Sequence, residues 1–248
     1  MFTDLFSFKY IFKGLSFLGQ NKSLFKFTII QVVLGIFIFS LFLFFATVKG
    51  IEIFDSMAIG LNQSENWFYN FTYYLLLVPF YLLLYAAGGY ITFFFTSIII
   101  SPLNTALASK TRFLYTGEKN NEQTGLIRSI LSDVKYEAIK FLIFTIIYLV
   151  MLLLLLIPVF GSVIFLVVST LYMIFTLTFE FVELSMDTEK NSAKHRIAIL
   201  LKRPILVLSF GGACFLIFTI PFLNIVLFPV LVVSGALMYE DKLKKAKI

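Results

Sequence analysis

The chain has 248 residues, of which 60% are hydrophobic and only 14% are charged. Soluble domains contain about 25% charged residues, so this composition excludes an ordinary water-soluble protein and indicates an integral membrane protein. The formal net charge of +6 does not indicate a nucleic-acid partner, because the basic residues lie only in short segments between apolar runs, where topology signals occur.

The N-terminal segment predicts a helix in the membrane interface. Lys9, Lys13, Ser16 and Gln20 follow one another at i, i+4, i+7 and i+11, which gives an otherwise apolar helix one narrow polar face. Helices of this kind lie in the plane of the membrane surface. We therefore expect an interfacial helix before the first membrane span.

Four runs without Asp, Glu, Lys, Arg or His follow, at residues 27–48, 66–109, 141–179 and 204–239. A helix needs roughly 20 apolar residues to cross the hydrocarbon core, and every run reaches that length. The first run lacks a small-x-small cleavage site and is longer than a signal-peptide core. We expect it to remain as a membrane anchor.

Only one connector is poor in basic residues. Residues 49–66 contain one Lys, whereas the two terminal segments and the connectors 104–140 and 180–203 contain four to six Lys or Arg residues each. Basic segments stay on the cytoplasmic side. We therefore predict that both termini are cytoplasmic, that the first run crosses outward and that the second returns.

The connector 104–140 predicts two helical stretches. They are broken between residues 116 and 121, where Gly117 is a candidate helix cap. The second stretch repeats apolar residues at a helical spacing, at Ile127, Leu131, Val134 and Ala138. The connector is therefore expected to be mainly helical.

The third and fourth runs each begin and end beside a basic connector, so each must turn back. Pro158 and Pro221 mark their middles, and proline disfavours a continuing helix. The arms 141–157 and 205–220 would reach only about 25 Å, less than the hydrocarbon core. We expect two hairpins that enter the membrane without fully crossing it; loops that emerge at the far headgroups are the alternative.

No pattern for catalysis or cofactor binding is present. The sequence contains one histidine, His195, and one cysteine, Cys214, and it lacks a phosphate-binding loop, a zinc-protease motif and paired cysteines. We predict that the protein is not an enzyme and holds no metal or other cofactor. An intramembrane enzyme would require Glu180, Glu183, Asp187 and His195 to converge.

Permeation of a solute is the function class that remains, and a few features of the sequence could support it. Helices that begin after the two turns, near Ser162 and Ile225, would direct N–H groups that attract anions into the membrane. Capping by Ser162 and Asn224, with cancellation by the adjoining helix ends, is the alternative. Polar residues at membrane depth could line a path or bond between helices; they are Gln31, Asn104, Thr145 and Asn224.

Several segments resemble the CysZ family of bacterial sulfate permeases. Residues 101–108 (SPLNTALA) are similar to the family's APFN-x-LLAE, residues 220–224 (IPFLN) to IPLLN, and residues 235–236 to the start of GAT. Shorter matches follow the same order along the chain, at residues 14–15, 114–117, 157–158 and 210–211. The resemblance extends over nearly the whole chain.

The resemblance implies a single CysZ-like membrane domain over residues 1–248. Its fold would be all-α, with an N-terminal interfacial helix, two full transmembrane helices and two Pro-broken, partly penetrating helical hairpins. The protein would form a homo-oligomer in the bacterial inner (plasma) membrane and pass sulfate inward.

Two segments depart from the family pattern. The family's Gly-Leu-Arg motif before the first span is replaced by residues 20–26 (QNKSLFK), and its Asp-Tyr-Pro by residues 183–185 (ELS). Lys22 and Lys26 could attract an anion as point charges, but they lack the bidentate geometry of arginine. Lysines at this boundary are also common topology signals.

We therefore predict a permease or channel for a small inorganic anion, sulfate first, that acts within the lipid bilayer and without a nucleic-acid partner. The expected substrate contacts are Lys22, Lys26, Asn104 and Asn224. The alternative is a non-conducting membrane scaffold that binds lipids or partner proteins through its basic cytoplasmic connectors.

Overall fold

The structure is a computed structural model that describes residues 4–58, 67–117, 126–186, 193–220 and 223–244. These residues form helices joined by short turns, and no β-strand occurs among them. Five of the described helices are long and apolar enough to cross a membrane. The protein is an all-helical, multi-pass membrane protein, as its composition predicts.

The helices follow one another along the chain as α1 (Lys9–Gln20), α2 (Lys22–Met57), α3 (Trp67–Thr116), α4 (Leu126–Leu152), α5 (Gly161–Met186), α6 (Ala193–Leu201), α7 (Pro204–Thr219) and α8 (Leu223–Met238). A 3₁₀ turn, Leu153–Leu156, extends α4, and a π-helical turn, Tyr239–Leu243, extends α8. The chain divides into two compact units. Unit 1 comprises Met1–Val32 and Ile100–Ile248, and unit 2 comprises Val33–Ile99.

Helix α3 ends at a glycine. Gly117 has a φ of +74°, in the left-handed region that glycine adopts without a Cβ penalty. Its N–H donates to the Phe113 carbonyl oxygen at 2.9 Å, which satisfies a carbonyl at the helix C-terminus. The predicted break after Thr116 is confirmed; residues 118–125, which follow it, lie outside the described ranges.

Unit 2 contains the C-terminal part of α2 and the N-terminal part of α3, which pack through aromatic side chains. The Phe54 ring lies 5.0 Å from the centroids of both Tyr73 and Phe80. Further along, Gly88 leaves room for the Phe42 ring, which a Cβ at that position would displace. Because later residues of α2 contact earlier residues of α3, the two helices run antiparallel.

The core of unit 1 surrounds α8. Residues 229–240, in this helix and its π-helical extension, are all buried. Helix α8 is also apolar on every side, as expected for a helix enclosed by others. Small residues permit close contact: a Cβ on Gly235 would clash with the Phe181 carbonyl oxygen, and one on Gly14 would clash with Ser234. Helices α1 and α5 therefore lie directly against α8.

A non-helical break lies in the middle of the third apolar run. The 3₁₀ turn ends at Leu156, residues 157–160 form a turn, and α5 begins at Gly161. Val159 has a φ of 66°, a conformation that is costly for a β-branched residue. In the fourth run, α7 ends at Thr219 and α8 begins at Leu223; Pro221, predicted to mark that turn, lies outside the described residues.

The arms of the first break are longer than the sequence predicts. An apolar helical stretch of 22 residues runs from Lys135 to Leu156, and α5 has 26 residues. The prediction counted only uncharged residues, whereas the helix continues back through the paired charges of Glu137 and Lys140. Helix α7 has 16 residues, fewer than a full span requires. Two full spans with two partly penetrating hairpins remain a prediction.

Adjacent glycines in α7 provide a matched test of this packing. A Cβ on Gly211 would clash with the Ile174 carbonyl oxygen and Thr178, whereas one on Gly212 would meet open space. We expect Gly211→Ala to lower the free energy of unfolding by about 1–3 kcal/mol. Gly212→Ala should be neutral or stabilising, because alanine favours a helix. Thermal unfolding in detergent checks this; equal shifts for the two variants would contradict the α5–α7 contact.

Candidate functional site

A buried ion-pair cluster joins α4 to α5. The ammonium group of Lys140 contacts three carboxylates, Glu137 at 2.8 Å, Glu180 at 2.6 Å and Glu183 at 2.5 Å. Lys140 is only 7% exposed, so water screens these interactions little. We call this group the Lys140 cluster; its members are Tyr136, Glu137, Lys140, Glu180, Glu183 and Arg196.

Glu183 also contacts Tyr136 and Arg196. The Tyr136 hydroxyl donates to the Glu183 carboxylate at 2.9 Å. The Arg196 guanidinium lies 4.0 Å from the same carboxylate and 5.6 Å from the Tyr136 ring centroid. The cluster thus ties α6 to α5 as well. With all groups ionised, its three carboxylates and two cations leave a formal charge of −1.

A small cavity adjoins the Lys140 cluster. Its volume is about 20 Å³, and its walls are formed by Ser101, Thr105, Tyr136, Glu137, Glu183, Leu184 and Arg196. A cavity of this size holds about one water molecule. The described residues therefore leave room for water beside the cluster.

A second buried ion pair joins α3 to the π-helical turn. The Arg112 guanidinium forms a close pair with the Glu240 carboxylate and donates to the Ser185 carbonyl oxygen at 2.9 Å. Lys244 contacts the other carboxylate oxygen of Glu240 at 3.0 Å. Separation of such a pair would leave an uncompensated charge in a buried position. Arg112 is therefore held in place by Glu240.

Helix α1 is fastened to the end of α8 by Asp241. The Lys13 ammonium contacts the Asp241 carboxylate at 2.6 Å and the Tyr115 hydroxyl at 2.8 Å. Burial disfavours the Lys13 charge, but hydrogen bonds to Asp241 and Tyr115 outweigh this effect and raise the pKa of Lys13 above 10.5. Burial and the Asp241 charge raise the pKa of Tyr10, whose hydroxyl donates to Asp241.

Comparison with known protein families identifies the chain. The family model described as sulfate transporter CysZ/etoposide-induced protein 2.4 matches residues 10–229. The chain belongs to this family. The CysZ family is a transporter-type family and not an enzyme family. Of the ionic contacts described above, the Lys140 cluster lies within the matched residues, whereas Glu240, Asp241 and Lys244 lie beyond them.

The lysines predicted to attract the anion lie at the start of α2. Lys22 and Lys26 are both exposed, and neither forms an ion pair with any residue that the structure describes. Helix α2 begins at Lys22, after α1 ends at Gln20. This CysZ-family chain therefore carries two unpaired positive charges where free helix N–H groups also occur.

The two predicted asparagines occupy different environments. Asn104 is buried within α3, and its Oδ1 atom has no hydrogen-bond partner among the described residues. Asn224 is half-buried at the start of α8, where its Oδ1 accepts the Ile225 N–H at 2.8 Å. No described hydrogen bond joins the two side chains. The arrangement of Asn224 agrees with a local role at the helix start.

Two of the residues proposed for an intramembrane enzyme come together in the structure. Glu180 and Glu183 meet at Lys140, but His195 is exposed. Asp187 lies outside the described residues. Glu183 also lies close to Arg196, at 4.0 Å, in addition to its contact with Lys140.

One feature of the sequence indicates the Lys140 cluster, although the count of basic residues in each connector did not reveal it. Lys140 immediately precedes the third apolar run, and Glu180 immediately follows it. A chain that turns back within the run brings its two ends together, so opposite charges at these ends should pair. By contrast, Arg112 and Glu240 are 128 residues apart, and no sequence pattern links them.

The Lys140 cluster predicts a large loss of stability when its central cation is removed. Lys140→Met leaves three carboxylates without their main counter-charge, so we expect the free energy of unfolding to fall by about 3–5 kcal/mol. Lys49→Met is the matched control, because Lys49 forms an exposed pair with Glu52 and exposed pairs contribute little. Thermal unfolding in detergent compares them. Similar shifts for both variants would contradict a buried cluster.

The raised pKa values at α1 predict a loss of stability in alkali. Lys13 and Tyr10 both hold their protons more tightly in the folded state, so their contribution is complete below about pH 10 and declines as the pH rises further. Asp241→Asn removes the partner of both groups. We expect the melting temperature of the variant to fall less steeply above about pH 10, where ordinary Tyr and Lys side chains begin to lose their protons. If the melting temperatures of wild type and Asp241→Asn fell in parallel with pH, the contribution of Lys13 and Tyr10 to alkaline stability would be wrong.

Proposed function

We propose that this chain is a permease or channel that passes a small inorganic anion, with sulfate as the first candidate. The observation that carries the proposal is the match of residues 10–229 to the family described as sulfate transporter CysZ/etoposide-induced protein 2.4. The helices able to cross a membrane are consistent with a path through the bilayer. No cofactor enters the proposal.

The proposed topology has both termini in the cytoplasm of a bacterial cell, with the chain in the inner membrane. Contacts between the two ends support this arrangement. Lys13 of α1 pairs with Asp241, and Asp4 lies 3.5 Å from Lys242. The contact of Lys140 with Glu180 likewise supports a reversal of the third run, as partly penetrating hairpins require.

The proposed path begins at Lys22 and Lys26. Their ammonium groups are free of carboxylates among the described residues, and they lie at the positive end of α2. A helix N-terminus with nearby cations attracts anions. Asn104 and Asn224 are the proposed polar contacts further along the path.

We also propose that the chain forms a homo-oligomer. The turn between α4 and α5 exposes Val159 and Phe160, which are 84% and 67% accessible in the single chain. Non-helical backbone at membrane depth must be covered by protein or face water. A second copy that covers residues 157–160 would satisfy this requirement if the turn lies within the bilayer.

The scaffold alternative has less support from the basic connector 194–203. Arg196 is buried beside Glu183, and Arg203 lies 3.4 Å from Asp4. These charges are directed into the protein. Lys202 is exposed, so the connector offers a lipid or partner protein less free positive charge than its sequence suggests.

Reconstitution tests the proposed function. Liposomes that contain the purified protein should take up radiolabelled sulfate faster than empty liposomes. The double variant Lys22→Ala/Lys26→Ala should reduce the initial rate several-fold at low ionic strength and less at high salt, because salt screens exposed charges. Lys22→Arg should lower the apparent KM, because guanidinium binds oxyanions with two hydrogen bonds.

Lys202→Ala is the matched control for these variants. It removes an exposed basic residue that forms no ion pair with a described residue, and we expect uptake to remain at the wild-type rate. Equal uptake by protein-containing and empty liposomes would refute sulfate transport. A loss in Lys202→Ala equal to that in the double variant would refute a localised role for Lys22 and Lys26.

A further inference from the structure

The buried cations of unit 1 are already neutralised by the protein. Arg112, Lys140 and Arg196 are the buried basic residues in the described part of the chain, and each lies against a carboxylate of another helix or turn. An anion that bound one of them would have to displace a buried carboxylate, which is costly. Groups other than these buried cations must therefore replace the hydration water of a permeating anion.

Two buried amides have unused hydrogen-bonding atoms. Gln31 and Asn104 are each 3% exposed. Neither the Oε1 nor the Nε2 atom of Gln31 has a partner among the described residues, and the same is true of the Asn104 Oδ1 atom. An unpaired polar atom in an apolar environment costs free energy. Such atoms therefore indicate a place where a polar ligand or water is received.

The two amides lie near one contact between α2 and α3. In unit 1 the Lys110 ammonium lies 5.3 Å from the centroid of the Phe27 ring, which brings α2 and α3 together. Gln31 is one helical turn beyond Phe27, and Asn104 is nearly two turns before Lys110. Both amides therefore lie within two helical turns of this contact, about 6 Å and 9 Å along their helices.

We propose that Gln31 and Asn104 form a neutral amide site that receives the oxygen atoms of the permeating anion as it loses its hydration water. The inference rests on the proposed anion transport. Rotation of a terminal amide exchanges its oxygen and nitrogen, so each side chain presents an N–H donor to an oxyanion or an acceptor to water. Neutral donors bind an anion without trapping it, as conduction requires.

Apolar substitutions of similar size test the site, because they should change transport and stability in opposite directions. Gln31→Met and Asn104→Leu should each lower sulfate uptake into liposomes about tenfold, the effect of one lost neutral hydrogen bond. The same variants should raise the melting temperature, because they remove unpaired buried polar atoms. Gln31→Glu retains the shape but adds a negative charge, and it should reduce uptake further.

Gln20→Met is the matched control. Gln20 is exposed on α1 and bonds Ser16, so both uptake and melting temperature should stay close to wild type. If the wild-type protein moves no sulfate, the proposed function fails. If wild type transports and Gln31→Met and Asn104→Leu transport equally well, the amide site is wrong. A lower melting temperature with uptake reduced only in proportion to folded protein would make the amides packing groups and also overturn the site.

Discussion

The structure of unit 1 depends on the cost of an uncompensated charge in an apolar interior. A buried ion requires a partner with good geometry, because the protein interior returns little of the solvation that water provides. Arg112 and Lys140 meet this requirement through Glu240 and Glu180, and Arg196 lies 4.0 Å from Glu183. These pairs join elements that are distant in sequence. They fix α3 to the end of α8, and α4 and α6 to α5.

This pattern limits how the chain could recognise an anion. Charges that stabilise the fold are unavailable to a substrate unless a carboxylate is displaced. In the proposed transport, exposed lysines at the start of α2 raise the local anion concentration, and passage through the interior relies on groups that bind weakly. Neutral amides suit that second task, since strong binding in a pathway slows release.

Much of the fold follows from the apolar runs, but the contacts of the charged residues do not. Helices α2 and α3 cover the first two runs because continuous apolar sequence favours helices in lipid, and Gly117 ends α3 as its flexibility predicts. The lengths of α4 and α5 were underestimated, because a charged residue such as Lys140 can continue an apolar helix when carboxylates surround it. Lys22 and Lys26 are exposed, and their contact with an anion stays a prediction. No sequence pattern predicts that the Asn104 Oδ1 atom lacks a hydrogen-bond partner among the described residues, because this depends on how the helices pack.

The most direct test of this account measures whether the connectors joined by the ion pairs lie on one side of the membrane. Cysteines introduced at the exposed residues Lys135 and Lys202, in a Cys214→Ser background, can be labelled with a membrane-impermeant maleimide from each face of oriented vesicles. We expect both positions to react from the same face and to the same extent. Labelling of Lys135→Cys and Lys202→Cys from opposite faces would contradict the ion-paired architecture.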